Sequence, residues 1–175
     1  MIILGIDPGT ATTGFGLISV EPKNFDVINF GLIETDKDGS PGARLVDIHK
    51  QISMILTKYK PDIFAIEKLF FATNAKTAIR VGQAQGVMLY SAAEQNIHVV
   101  EYAPGTIKKV VTGNGRADKK MIQYYVRKLL GPKVRSRAHK KTHFDNAADA
   151  LAVALCHGFH SDDFVHDTLT SLFEV

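Results

Sequence analysis

The chain has no tryptophan and a single cysteine, Cys156, so no internal disulfide can form, and no C-x-x-C or Cys/His spacing of zinc type occurs. Stability must therefore come from an apolar core. No apolar run approaches the roughly 20 residues of a membrane span, and the opening stretch MIILGIDPGT lacks the basic flank of a secretory leader. These absences argue against a disulfide-stapled secreted scaffold and against a membrane protein, and they make a reducing cytoplasm the expected compartment. Internal repeats and low-complexity segments are also lacking.

What is present is the profile of an ordinary globular domain: 175 residues, 45% hydrophobic and 22% charged. The net charge of +3 hides a segregation. Between Lys108 and Lys141 stand twelve Lys/Arg against one acid, Asp118, while the remainder carries nine bases and seventeen acids. Such a block is either a solvated helix face with a basic loop or the footprint of a polyanion.

Ile2 to Ile6 form a continuous apolar run stopped by Asp7-Pro8-Gly9, which reads as a buried central strand. Gly14 to Val20 and Val27 to Thr35 extend it into an antiparallel meander. Leu45, Ile48, Ile52, Ile55 and Tyr59 follow helical spacing and stop before Pro61. Asp62 to Ile66 is a short strand that delivers Glu67 at its end. Asn74 to Gln95 reads as a helix, 97–102 as a strand, and helices are expected near 104–111 and 117–130 around Gly113-Asn114-Gly115. A basic loop, 131–143, leads into an alanine-rich helix at 144–157, whose small residues at 147, 148, 150, 152 and 154 would let it lie close to a sheet. One α/β domain spanning 1–160 is expected, followed by an acidic tail at 161–175.

Asp7 and Glu67 both stand where an apolar strand runs out, and Asp149 is enclosed by alanines, where a carboxylate without a partner would be strongly disfavoured. Three acids drawn from separate elements suit Mg²⁺, a hard ion that takes oxygen ligands. Two such ions about 3.5 to 4 Å apart would activate water and stabilise the leaving oxygen of a phosphodiester. Each acid also has a plainer reading. Asp7 before Pro8-Gly9 could form an Asx-turn, Glu67 could pair with Lys68 or a helix amide, and Asp145 fits the start of a helix.

The stretches GIDPGT with TGFGLI, FAIEKLFFATNAKTAIRVGQAQGV, EYAPGTIKKVVTGNGRADKKMI and DNAADALAVALCH, in that order, resemble the RuvC family of Holliday junction resolvases. The resemblance implies an RNase H-like fold with a five-stranded mixed sheet flanked by helices. It also implies a homodimer that cuts opposing strands of a four-way DNA junction with two Mg²⁺ ions per active site, or Mn²⁺ in their place, in recombination and repair, with a branch-migration motor complex as a further partner. Asp7, Glu67 and Asp149 match the family's metal-binding carboxylates. A fourth metal-side position, acidic in many members and histidine in others, falls on Asn146, a departure that implies a catalytically impaired form. Phe70 matches an aromatic placed against junction bases, and Lys108 and Lys119 match basic residues near the scissile phosphates. Arg116 and Lys120 fall in the same basic block. The helix carrying Gly82, Gly86, Ala92 and Ala93 is the expected dimer contact.

Two rival readings remain at the level of sequence. An opening strand followed by D-x-G-T also resembles the phosphate-binding turn of actin-like and Hsp70-like ATPases, but those need two such domains and 175 residues cannot supply both. The stronger rival is a non-cleaving junction-binding protein, in which the basic surface works and an acidic cluster weakened at Asn146 does not.

Overall fold

In the computed structural model the described residues are 1–22, 24–69, 75–131, 134 and 141–161, with the backbone alone for 141–146. Five strands form one mixed sheet: β1 (Ile2–Asp7), β2 (Thr12–Glu21), β3 (Asn24–Glu34), β4 (Ile63–Glu67) and β5 (His98–Tyr102), in the order β3-β2-β1-β4-β5. The first three are antiparallel neighbours; β4 and β5 add in parallel. β1 is central because it is apolar on both sides. Leu4 and Ile6 face one core, which α1 (Pro41–Tyr59) covers through Ile48, Ile52 and Leu56 and α2 (Ala75–Glu94) through Ala84 and Met88. Ile3 faces the other core, covered by α3 (Pro104–Thr112), α4 (Lys119–Leu130) and α5 (Lys141–His160).

Helix ends follow local chemistry. Ser40 caps α1 by accepting from the Ala43 amide at 3.2 Å, with Pro41 at the first helical position, so α1 starts four residues before its apolar stripe does. Asp118, the lone acid of the basic block, caps α4 by accepting from the Met121 amide at 2.8 Å. The last helix begins at Lys141 rather than at 144, so Asp145 belongs to the second turn of α5, and of the expected basic loop before it only Gly131 and Val134 are among the described residues. Residues 162–175 of the expected tail lie outside the described residues.

Gly16, Gly5 and Ala65 stand side by side across β2, β1 and β4, all on the face toward α5. A Cβ on Gly5 would collide with the backbone of Ala150 and Ala154, and one on Gly16 with Leu151. The two glycines therefore open a trough into which α5 settles at backbone contact, and Ala147, Ala148, Ala150 and Ala154 are fully buried there.

Candidate functional site

Strand alternation carries the geometry outward from that trough. Two residues beyond Gly5, on the same face of β1, is Asp7; two beyond Ala65, on the same face of β4, is Glu67. Because Ile6 pairs with Ile66 in parallel register, the two carboxylates leave the sheet side by side at its C-terminal edge. Asp149 immediately precedes Ala150, the residue pressed on Gly5, so it reaches the same edge from above.

Glu67 and Asp149 line one small cleft at this edge, and the three acids feel one another's charge. Burial, then Asp149, pushes Asp7 up from 3.8 to about 6, with Lys119 pulling the other way. Burial, then Asp7 and Asp149, pushes Glu67 up from 4.5 to about 7, opposed by Lys108. The compensation that the alanine surroundings of Asp149 demanded is supplied by Lys119, whose Nζ lies 3.2 Å from Asp149 Oδ2. Asp118 places Lys119 at the first position of α4, where its side chain reaches α5. Lys108, from α3, lines a small cleft with Glu67 and Asp149, walled by Pro104, Ile107 and Ile122.

The plainer readings find little support. The Gly9 amide donates to Thr13 Oγ1 at 3.3 Å rather than to the Asp7 carboxylate, and the cation acting on Glu67 is Lys108 rather than Lys68. Arg116 and Lys120 are exposed and do not line the cleft. Asn146 lies in α5, one turn before Asp149, on backbone geometry alone. Phe70 lies outside the described residues. On α2 the expectation needs a correction: Ala92 is fully buried against the sheet, because it shares the inward stripe of Ala84 and Met88. Gly86 and Ala93 are exposed, and with Ile79 and Tyr90 they form an outward stripe.

Sequence reading missed Arg44. Its Nη2 donates to Thr10 O at 2.8 Å and its Nε to Thr35 Oγ1 at 3.0 Å, while Thr35 Oγ1 donates to Thr10 O at 2.9 Å. Arg44 thus ties the turn after Asp7 to β3 and α1. An arginine in the first turns of a helix carries no pattern that would have disclosed this.

The donor set fits a hard divalent cation. All three side chains offer oxygen, they repel one another in a partly desolvated place, and the ion pair described for Asp149 is with Lys119 at its side. Among the described residues no three His, Cys, Asp or Glu side chains already stand close enough to share one ion. Cys156 is no alternative nucleophile, since it is buried and burial pushes its thiol up to about 12.

The family model described as crossover junction endodeoxyribonuclease RuvC matches residues 3–157. A crossover junction endodeoxyribonuclease RuvC from Alkaliphilus oremlandii is 45% identical over 175 residues, covering 100% of this chain and 99% of that protein. One from Caldicellulosiruptor saccharolyticus is 44% identical over 169 residues, covering 95% and 97%. Among solved structures, Thermus thermophilus RuvC in complex with Holliday junction substrate superposes with a TM-score of 0.82 at 31% identity, covering 91% of this chain and 94% of that one. The yeast mitochondrial Holliday junction resolvase, at 16% identity and a TM-score of 0.66, bears on the fold alone, which is RNase H-like.

Proposed function

The chain belongs to the RuvC family of crossover junction endodeoxyribonucleases, and on that premise we propose how its own residues divide the work of cutting a four-way DNA junction. It is a nuclease of recombination and repair that acts on Holliday junctions and depends on a divalent metal. The observation that carries the assignment of the site is the meeting of Asp7, Glu67 and Asp149 from β1, β4 and α5 at one edge of the sheet, with Lys108 and Lys119 against them.

Asp7, Glu67 and Asp149 hold the metal, with Mg²⁺ as the physiological ion, two per site, and Mn²⁺ able to replace it. When bound, it supplies a water of lowered pKa and a positive charge for the leaving oxygen. Burial, and then the repulsion among the acids, raises Asp7 and Glu67, so a cation bound there relieves an unfavourable concentration of charge. Lys108 and Lys119 meet the scissile phosphate, Lys119 exchanging its contact with Asp149 for one with the substrate, and the exposed Arg116 and Lys120 guide the flanking strand. No side chain needs to become covalently attached, because water is the nucleophile. Phe70 stacks on a base unpaired at the branch point.

Cleavage of two opposing strands calls for two sites related by a two-fold axis, and the outward stripe Ile79, Gly86, Tyr90 and Ala93 of α2 is the surface we assign to the homodimer. Residues 1–160 form the nuclease domain, working in the cytoplasm, with a branch-migration motor as the natural collaborator. A second reading rests on Asn146: a chain that binds junctions and cuts them poorly. A labelled mobile junction compared with linear duplex, with and without Mg²⁺, separates the two. Nicking of the junction alone in Mg²⁺ supports the enzyme; tight binding without nicking supports the second reading.

A further inference from the structure

On the far side of the Asp7 turn from Lys108 and Lys119 lies an open cavity of about 170 Å³, against about 40 Å³ for the cleft at the carboxylates. It has space for several waters, or for one group of larger size. Lys37, Arg44 and Arg80 project on it from the β3–α1 connection, α1 and α2. These three cations come from three separate elements, and among the described residues none of them has a carboxylate within ion-pair distance. Asp36 and Asp38 are close in sequence but do not line the cavity, and Asp36 Oδ1 is engaged by the Asp38 amide at 3.0 Å. Pro41, Leu45 and Ile48 give the wall an apolar part, with Thr10 and Gln83 also lining it. Three cations with no ion-paired carboxylate among the described residues, beside apolar side chains, suit a ligand with a phosphate at one end and a flat or aliphatic body at the other.

Position supplies the rest. Thr10 lines the cavity and is three residues after Asp7, so by chain length it lies within about 11 Å of that carboxylate. Arg44 binds the Thr10 carbonyl and faces the cavity, so the same guanidinium that anchors the catalytic turn forms part of the cavity wall. The carboxylates are thereby bracketed by cations on both sides: Lys108 and Lys119 on the α5 face, Lys37, Arg44 and Arg80 on the α1–α2 face.

We propose that this cavity is a second DNA subsite, which takes a nucleotide of the cut strand a few positions from the scissile phosphate, its phosphate on Lys37, Arg44 and Arg80 and its sugar or base against Pro41, Leu45 and Ile48. The proposal rests on the active-site assignment above. The strand crosses the C-terminal edge of the sheet at the Asp7 turn and is gripped on each side of it, which fixes the scissile bond along the strand direction.

Lys37 and Arg80 are exposed and, among the described residues, hold no other element, so Lys37→Gln, Arg80→Gln and the double variant test the cavity without disturbing Arg44's hold on the turn. Binding of a fluorescent four-way junction in chelator is measured against salt for each protein. The same is done with a set of junctions carrying one neutral methylphosphonate at each position within four nucleotides of the cut. The double variant should flatten the plot of log affinity against log salt by about 0.9 for each phosphate it no longer neutralises. One methylphosphonate position should weaken binding by the wild type several-fold and leave binding by the double variant unchanged.

An unaltered salt slope, or no position whose effect disappears in the variant, overturns the subsite while leaving the active-site assignment intact if the wild type still binds and cuts. A wild type whose junction affinity ignores salt overturns both. Inorganic phosphate is the remaining probe. If it raises the melting temperature of the wild type and not of the double variant, while no methylphosphonate position is coupled to the cavity, the pocket takes a free anion and the strand proposal is wrong.

Discussion

The carbonyl of Ala150 occupies the space that a side chain on Gly5 would need, so that α5 and β1 meet backbone to backbone. Asp149 and Asp7, each a step or two along from that contact, owe their proximity to it. Gly5→Ala cannot be relieved by a flexible neighbour, because the clashing atoms are main chain. The expected result is a loss of roughly 1–3 kcal/mol or more, as for other overpacked cores, and a fall in melting temperature of several degrees. Cleavage should fall further than the unfolded fraction accounts for, since α5 must lift Asp149 away from Asp7. Gly42→Ala, in the first turn of α1 with open space around it, is the control and should leave melting and cleavage near wild type.

A second expectation concerns pH in the absence of metal. Asp7 goes from 3.8 to about 6 on folding and Glu67 from 4.5 to about 7, chiefly through burial. The folded protein therefore binds protons more tightly than the unfolded chain, and these two groups make stability fall as pH rises from about 4 to about 7. The loss is on the order of a few kcal/mol. Melting in chelator should accordingly be lower at pH 8 than at pH 5.5, and added Mg²⁺ should restore more at pH 8. Asp7→Asn removes one of the charges, so it should shrink both the pH dependence and the response to Mg²⁺ while abolishing cleavage and sparing junction binding. A variant that still cut DNA would return Asp7 to the role of a turn residue.

Much of this site could be read from sequence because its acids sit at places where a simple pattern breaks. Asp7 and Glu67 each end a run of apolar residues, and Asp149 interrupts a string of alanines. The alanines also foretold that α5 would lie close to the sheet. The receiving surface was harder to see: Gly5 inside Ile-Ile-Leu-Gly-Ile looks like a weak strand residue until Gly16 and Ala65 are known to stand beside it, and that row is a product of register between strands. Ala92 is hard to place from sequence for a related reason. Small residues on a helix suit either a neighbouring subunit or the protein's own sheet, and only the helix's rotation about its axis decides which. Lys37, Arg44 and Arg80 carry no pattern at all. They are brought together by α1 and α2 packing across the sheet, and a charge count along the chain favours the dense block after Lys108 instead.

Salt should test that dense block directly. Junction affinity is expected to fall steeply as salt rises, and Lys108→Gln and Lys119→Gln should each flatten the dependence by about 0.9 in the logarithmic slope. Lys119→Gln also removes the cation at 3.2 Å from Asp149, so it should raise the midpoint pH at which the acidic cluster ionises in chelator. Lys120→Gln, at an exposed position, is expected to alter the salt slope without touching that midpoint. Equal midpoints in the wild type, Lys119→Gln and Lys120→Gln would show that the Lys119–Asp149 contact does not tune the cluster.

The final expectation concerns Asn146, three residues before Asp149 in α5 and so on the same side of the helix, about 60° away around the axis. An amide there offers a neutral carbonyl, which is a weaker ligand for a hard divalent ion than a carboxylate and cannot accept a proton from water. Asp145 is four residues before Asp149 and about 100° from the direction of position 146, so it cannot simply take over the same place. Asn146→Asp changes shape very little and adds one negative charge. It should raise the Mg²⁺-dependent cleavage rate by orders of magnitude, lower the Mg²⁺ concentration needed for half-maximal rate, and leave junction affinity in chelator unchanged or slightly weaker through repulsion of phosphates. The single-turnover rate on a saturating junction, measured across a Mg²⁺ titration, reads all of this at once. If Asn146→Asp cuts no faster than the parent chain while Asp145→Asn abolishes cutting, the fourth ligand is Asp145 and the chain is a fully competent nuclease as it stands.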